Sequence, residues 1–480
     1  MNYKLIILIA YCIILLITCL RILYETQNSS KTIAYLFLCI FLPVFGILFY
    51  LAFGINYWKK KLYSKKMNED DKLLDHLKKK IPEYKNCIVD PKNISDDSAE
   101  LASMLLKDLR SPLTRNNRVK LLLNGEEKFP ELIRCIHSAK HHIHIEYYIF
   151  EQDETGNAII ELLITKAKEG VRVKFIYDDF GSPSIKRKVE RKMRDAGIEV
   201  YPFSKIHFYL LANRINYRNH RKIVVVDGHT GFVGGINVSD KYINNGKQKL
   251  YWRDSHLRVD GPGVYYLQYI FMTDWNFCSG KKLDPEDVFF AQCDDIKDGT
   301  LVQIAGSGPD STEPSILFSV IEAISLAKEE ILITTPYFIP GESIINALRI
   351  AALGGVKVKL LVPGKCDSRV VNAASKANYN PLLQAGVEIY LYNKGFVHAK
   401  TLVTDGRLSI IGTANMDHRS FELNFEVNAI IYDEPFSKKM RKIFAEDLKY
   451  ATKLDPKRWY ERSLLTQFPE KLARLLSPSL

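Results

Sequence analysis

The segment NHRKIVVVDGHTGFVGGIN (219–237) recurs in outline as VHAKTLVTDGRLSIIGTAN (397–415). Both copies carry His-x-Lys, four residues, Asp-Gly, and then Gly-x-x-Asn. The first has His220, Lys222, Asp227, Gly234 and Asn237, and the second has His398, Lys400, Asp405, Gly412 and Asn415, 178 residues apart at all five positions. Chance gives one His-x-Lys-x4-Asp match only about 0.05 times in a chain of this length. Further echoes surround the pair: GVRVKFIYDD (170–179) against GVKVKLLVPG (355–364), and AGIEVYPF (196–203) against AGVEIYLY (385–392). The period is far too long for a solenoid. It implies two lobes of one architecture with something built where they meet.

The local pattern within each lobe is α/β. Apolar spacing predicts strands over Val119–Leu123, Ile143–Phe150 and Val171–Asp178, with helices over Lys128–Ala139 and Ala158–Glu169. The expected fold class is therefore α/β: a duplicated two-lobed unit with mixed sheets flanked by helices. The expected division is 1–58, 59–115, 116–295 and 296–480. The second of these is a charged linker with short helices, and the last two are the lobes. Eight scattered cysteines without a CxxC pair give neither a zinc signature nor a disulfide framework, and read as free thiols in a reducing compartment.

The amino-terminal segment is different in kind. Leu5–Leu23 is apolar apart from Tyr11, Thr18 and Arg21. At about 28 Å as a helix, it matches the hydrocarbon thickness of a bilayer. A second apolar run, Ile33–Phe53, follows a short polar stretch. No small-x-small cleavage site follows the first run, which argues against a signal peptide. The expectation is a two-helix transmembrane hairpin. Lys59, Lys60, Lys61, Lys65 and Lys66 follow the second run, so the positive-inside rule places the rest of the chain in the cytoplasm. Of the net charge of +12, residues 1–66 carry +7. That charge lies where an anionic membrane surface would feel it, which weakens a nucleic-acid reading of the basic balance.

The paired motifs carry the chemistry. On a strand, residues i and i+2 share a face, so each hairpin presents an imidazole and an ammonium together. Two hairpins face to face form a pocket suited to a phosphodiester. The lysines and the amides of Asn237 and Asn415 neutralise its oxygens, one histidine attacks phosphorus, and the other protonates the leaving oxygen. The scheme calls for no metal and no cofactor. Asp227 and Asp405 have the opposite parity and belong at the turns. Asp254 and Glu426 occupy comparable places in the two halves and are proposed as orienting acceptors for the histidines; solvated surface carboxylates are the alternative. His141, His142 and His144 read as surface and strand packing. Glu146, Tyr148 and Tyr337 fall at strand ends near the cleft, as lining or as core. The segment Trp459–Leu480 mixes Leu, Phe, Trp and basic residues and either lies on the bilayer or packs as a terminal helix.

These motifs resemble those of the phospholipase D superfamily. More narrowly, LPVFGILFYLAFG (42–54), HIEYYIF (144–150), GTANMDHRSFELNFE (412–426) and RLLSPSL (474–480) are similar to the bacterial cardiolipin synthases of that superfamily. One departure is the GTAN of the second copy, against Gly-Gly-x-Asn in the first. The resemblance implies phosphatidyl transfer between two phosphatidylglycerols in a bacterial cell membrane, giving cardiolipin and glycerol through a phosphatidyl-histidine. It implies His220 as nucleophile and His398 as general acid and then base. It also counts Lys222, Asp227, Lys400 and Asp405 among the active-site residues. Two alternatives stay open on the motif alone: a lipid hydrolase or phosphatidylserine synthase, and a membrane-anchored nucleic-acid phosphodiesterase. Oligomeric state is not legible.

Overall fold

The computed structural model describes residues 3–26, 29–50, 66, 72–73, 87–94, 98–185, 187–203, 217–246, 250–290 and 299–477. The chain divides into two compact units, Met1–Glu69 with Ile206–Tyr217, and Asp70–Lys205 with Arg218–Leu480.

In the first unit, Tyr3–Glu25 is one helix of 23 residues with mean hydropathy 2.8 across its most apolar stretch. Among the described residues it is the one helix long and apolar enough to cross a membrane. The second apolar run departs from the expected single span. It forms Ser29–Phe41 and Pro43–Phe49, broken at Leu42 (φ −128°, ψ 66°). The cause is local: Pro43 cannot donate a backbone hydrogen bond, and its ring pushes the preceding residue out of the helical region. Residues 51–53 of that run lie outside the described residues, as do most of 59–86. Ile22, Cys39, Ile47 and Tyr50 form this unit's small core, and the Tyr50 hydroxyl donates to Glu25 at 3.2 Å.

The second unit carries the duplication. Among the described residues its main sheet has 15 strands. From Thr114–Leu123 the order runs outward through Ser255–Asp260, Thr230–Gly234, Lys222–Val226, His142–Tyr147, Arg172–Asp178 and Glu199–Phe203. From its antiparallel neighbour Thr300–Ser307 the same order repeats in the other direction: Glu426–Tyr432, Leu408–Gly412, Thr401–Thr404, Glu330–Thr334, Lys357–Pro363 and Glu388–Tyr392. Ala451–Lys453 is added at the edge. Each half is mixed, with a parallel outer part and an antiparallel inner part.

Local sequence explains the elements. The helix Glu154–Lys168 is capped by Asp153, whose carboxylate accepts from the Gly156 N–H at 3.0 Å, and it ends on Lys166 and Lys168. It buries Ile159, Ile160, Leu163 and Ile164 against the first-half strands. The equivalent core of the second half includes Leu101 and Leu105 of the helix Ala99–Asp108. The carboxy-terminal helix Leu464–Arg474 leaves Leu464, Leu465, Phe468 and Leu472 exposed, and nearby Trp459 is buried. One expectation is corrected: Cys87 is disulfide-bonded, so the cysteines are not all free thiols.

Candidate active site

Two short cross-half ladders build the site. Gly395–Val397, leading into His398, runs parallel to Tyr251–Arg253, leading into Asp254. The His398 N–H donates to the Arg253 carbonyl at 2.7 Å. A Cβ on Gly395 would lie 2.0 Å from the Tyr251 carbonyl oxygen, so this approach requires glycine. On the other side, Asn219 bridges Phe425 in parallel. The Phe425 N–H donates to Arg218 (2.8 Å) and the His220 N–H to Phe425 (2.9 Å). Each histidine is thereby set beside a carboxylate of the opposite half. His220 Nδ1 lies 2.9 and 3.0 Å from the two Glu426 carboxylate oxygens. His398 Nδ1 lies 2.7 Å from Asp254 Oδ2. The pairing is crossed between the halves.

The electrostatics fix the tautomers. The His220 imidazole and Lys222 hold the buried Glu426 ionised against its own desolvation, down to about 2. His398 and Lys400 likewise hold Asp254 below its ordinary value despite burial. An ionised carboxylate only accepts, so each Nδ1 carries the proton and each Nε2 keeps its lone pair. Burial pushes His220 down to about 4 and His398 to about 3, with the neighbouring lysines adding to the effect. Both rings are neutral near pH 7.

Lys222 and Lys400 lie buried under the histidines. Each ammonium donates to the carbonyl of its own motif histidine at 2.6 Å. Lys400 Nζ also lies 2.9 Å from His398 Nδ1. Burial lowers Lys222 to about 7 and Lys400 to about 8, partly offset by Glu426 and Asp254.

Asp227 and Asp405 are placed away from this chemistry, as parity requires. Both adopt left-handed backbone at the hairpin turns, φ 51° and 53°. The Asp227 carboxylate accepts from the backbone N–H groups of Lys140, His141 and His142 (2.8 to 3.0 Å). Asp405 accepts from Lys328, Glu329 and Glu330 (2.8 Å each). Neither lines the cavity. The geometry makes them braces between turn and neighbouring strand.

His220 and His398 open onto a cavity of about 440 Å³, also lined by Asn237 and Asn415. The Asn237 amide is engaged at both ends, accepting from the Ile149 N–H (3.1 Å) and donating to the Tyr242 hydroxyl (2.8 Å). Asn415 Oδ1 has no partner among the described residues. Tyr148 and Tyr337 both line the cavity. Tyr148 stands edge-on to His220 with ring centres 4.9 Å apart, and the Tyr337 hydroxyl donates to Asp367 at 2.7 Å. Glu146 is buried behind the site on Asn219. His142 and His144 pack in the strand beside Phe271 and Phe289. Sequence reasoning missed Arg218, Lys241, Tyr242, Trp252 and Arg419 in the lining. For Arg218 a signal existed, because it precedes His220 by two residues on an extended segment and so shares its face.

Comparisons with known proteins give the family. Residues 132–255 and 320–448 match the family described as cardiolipin synthase, PLD-like domain. Residues 7–54 match one described as phospholipase D-nuclease N-terminal. A cardiolipin synthase of Geobacillus kaustophilus is 39% identical over 456 residues, covering 95% of this chain and 90% of that protein. One from Listeria innocua is 40% identical over 482 residues, covering 98% and 100%. The crystal structure of a phosphatidylserine synthase from Haemophilus influenzae superposes with a TM-score of 0.58 at 15% identity, over 75% of this chain and 95% of that one, a likeness of fold.

Proposed function

We propose that this chain, which belongs to the PLD-like cardiolipin synthase family and is a phosphatidyltransferase, joins two phosphatidylglycerols into cardiolipin with release of glycerol. The observation that carries the mechanism is the pair of neutral imidazoles, each held by a carboxylate of the other half and facing one cavity.

The donor phosphate sits between the two Nε2 atoms, and the buried ammoniums and the Asn415 amide offset its charge. His220 Nε2 attacks phosphorus. The bond to the glycerol headgroup breaks, and His398 supplies the proton that glycerol takes away. On entry of the phosphate anion His398 takes a proton from solvent and, held by Asp254, starts the cycle as an imidazolium, whereas His220 stays neutral to attack and becomes an imidazolium, held by Glu426, only when phosphorylated. In the second step the free hydroxyl of another phosphatidylglycerol gives its proton to His398 and attacks phosphorus. The bond to His220 breaks and the starting enzyme returns. Two lipids enter; one cardiolipin and one glycerol leave.

The apolar helix Tyr3–Glu25 supports membrane association. We extend this to a two-span hairpin with the catalytic lobes, 116–295 and 296–480, on the cytoplasmic side, supported by the lysine cluster at 59–66. The test is the product formed by the purified full-length protein from pure phosphatidylglycerol. Cardiolipin with one equivalent of glycerol is expected; phosphatidic acid alone would make the protein a hydrolase.

A further inference from the structure

We propose that Arg218, with Arg419 beside it, holds the phosphate of the acceptor lipid, the second phosphatidylglycerol, while the two histidines hold that of the donor. This rests on the transferase reading above.

Arg218 lines the cavity and is 3% exposed. Both terminal nitrogens of its guanidinium lack a hydrogen-bond partner among the described residues. The group is well positioned nonetheless: it lies over the Phe180 ring at 4.3 Å, and its backbone carbonyl accepts from Phe425 in the cross-half ladder at 2.8 Å. Asp178 and Asp179 attract it, and Arg419, also in the lining, is near enough to repel it. The Asp178 carboxylate is taken up by the backbone N–H groups of Phe180, Gly181 and Asn219 at 2.9 to 3.1 Å. A desolvated guanidinium fork without acceptors is costly, and a phosphate, with several oxygens in matching geometry, removes that cost.

Spacing assigns that phosphate to the acceptor. Arg218 precedes His220 by two residues of extended backbone, roughly 7 Å between Cα atoms. Arg218 and His220 also line one cavity, so the guanidinium takes the second phosphate while the bridge is being formed on the phosphorus held at His220. The step is the one already balanced: the acceptor hydroxyl proton goes to His398, the new O–P bond forms, and the His220 N–P bond breaks. Arg218 touches the substrate but not the reacting atoms, and its effect is to favour an anionic glycerophospholipid over free glycerol or water.

The experiment follows two reactions in one sample: full-length protein in phosphatidylglycerol vesicles containing labelled glycerol. Cardiolipin formation needs a second lipid phosphate at the acceptor position; exchange of labelled glycerol into phosphatidylglycerol does not. In Arg218→Gln the ratio of cardiolipin to exchange falls about tenfold or more. In Arg218→Lys, which keeps the charge and loses the fork, it falls about threefold. A ratio unchanged within about twofold in both variants overturns the proposal, whatever the absolute rates. If the glutamine variant shows neither reaction, the lysine variant decides alone, and loss of both reactions there also overturns it. A wild-type protein that exchanges glycerol but forms no cardiolipin contradicts the synthase reading itself, and this inference with it.

Discussion

On the His220 side the orienting group is Glu426, and both of its oxygens lie within hydrogen-bond distance of Nδ1. The Thr413 hydroxyl and the Asn424 amide also donate to that carboxylate. On the His398 side the group is the shorter Asp254, one oxygen on Nδ1 and the other accepting from the Ser255 N–H at 2.7 Å. The motif difference between Gly-Gly-x-Asn and GTAN lies at this point. Gly235 and Thr413 are equivalent. A Cβ on Gly235 would lie 2.2 Å from Asp254 Oδ1, so that half requires glycine to admit its carboxylate. The other half places a hydroxyl there to hold its carboxylate. Duplication preserved the imidazole and let the support diverge, and each support belongs to the histidine of the opposite copy.

Breaking the pairs tests this most strongly. Replacing His220 or His398 by alanine is expected to lower the rate of cardiolipin formation roughly a thousandfold or more, measured by labelled-lipid turnover. Glu426→Gln and Asp254→Asn retain shape but lose the ionised acceptor, with losses of about a hundredfold or more. Because the pairing is crossed, the double variant Glu426→Gln/His220→Ala is no slower than His220→Ala alone. Adding Asp254→Asn to His220→Ala lowers the rate further. The reverse pattern, a further loss from Glu426→Gln and none from Asp254→Asn, would mean that the carboxylates serve the histidines of their own half.

The lysines predict the pH profile. The neutral histidine is lost as pH falls toward about 4, and the ammonium charge is lost as pH rises through about 7 for Lys222 and about 8 for Lys400. The plot of kcat/KM against pH is therefore a bell, and Lys222→Arg moves only its alkaline limb upward. Smaller still is the effect at the turns. Asp405→Ala removes three backbone acceptor contacts and lowers stability by about 1–3 kcal/mol. The lower Tm comes with little change in kcat per folded molecule. A collapse of kcat at unchanged Tm would return Asp405 to the reacting centre.

The sequence makes the duplication, the α/β alternation within each half and the two imidazoles legible, because repeat spacing and period-two parity are local properties. It also places Asp227 and Asp405 at the turns by parity alone, against their assignment to the active site by family likeness. The crossed pairing is not legible. It depends on the two parallel ladders at 395–397 with 251–253 and at 219 with 425, which join segments far apart in sequence. Parity puts Arg218 on the face of His220, but its significance lies in a missing partner, which the packed cavity reveals. The break before Pro43 was available from the proline itself, and average hydrophobicity masked it.

The central claim is a phosphatidyl group passed through His220 while His398 moves the proton. It is tested most directly by rapid alkaline denaturation of the wild-type protein during turnover of phosphatidylglycerol labelled in the phosphate. The account predicts labelled phosphate bound to protein on a peptide containing His220, and none on the same peptide in His220→Ala. Label on any other residue, or wild-type protein that makes cardiolipin with no labelled peptide at any time of quenching, would contradict it.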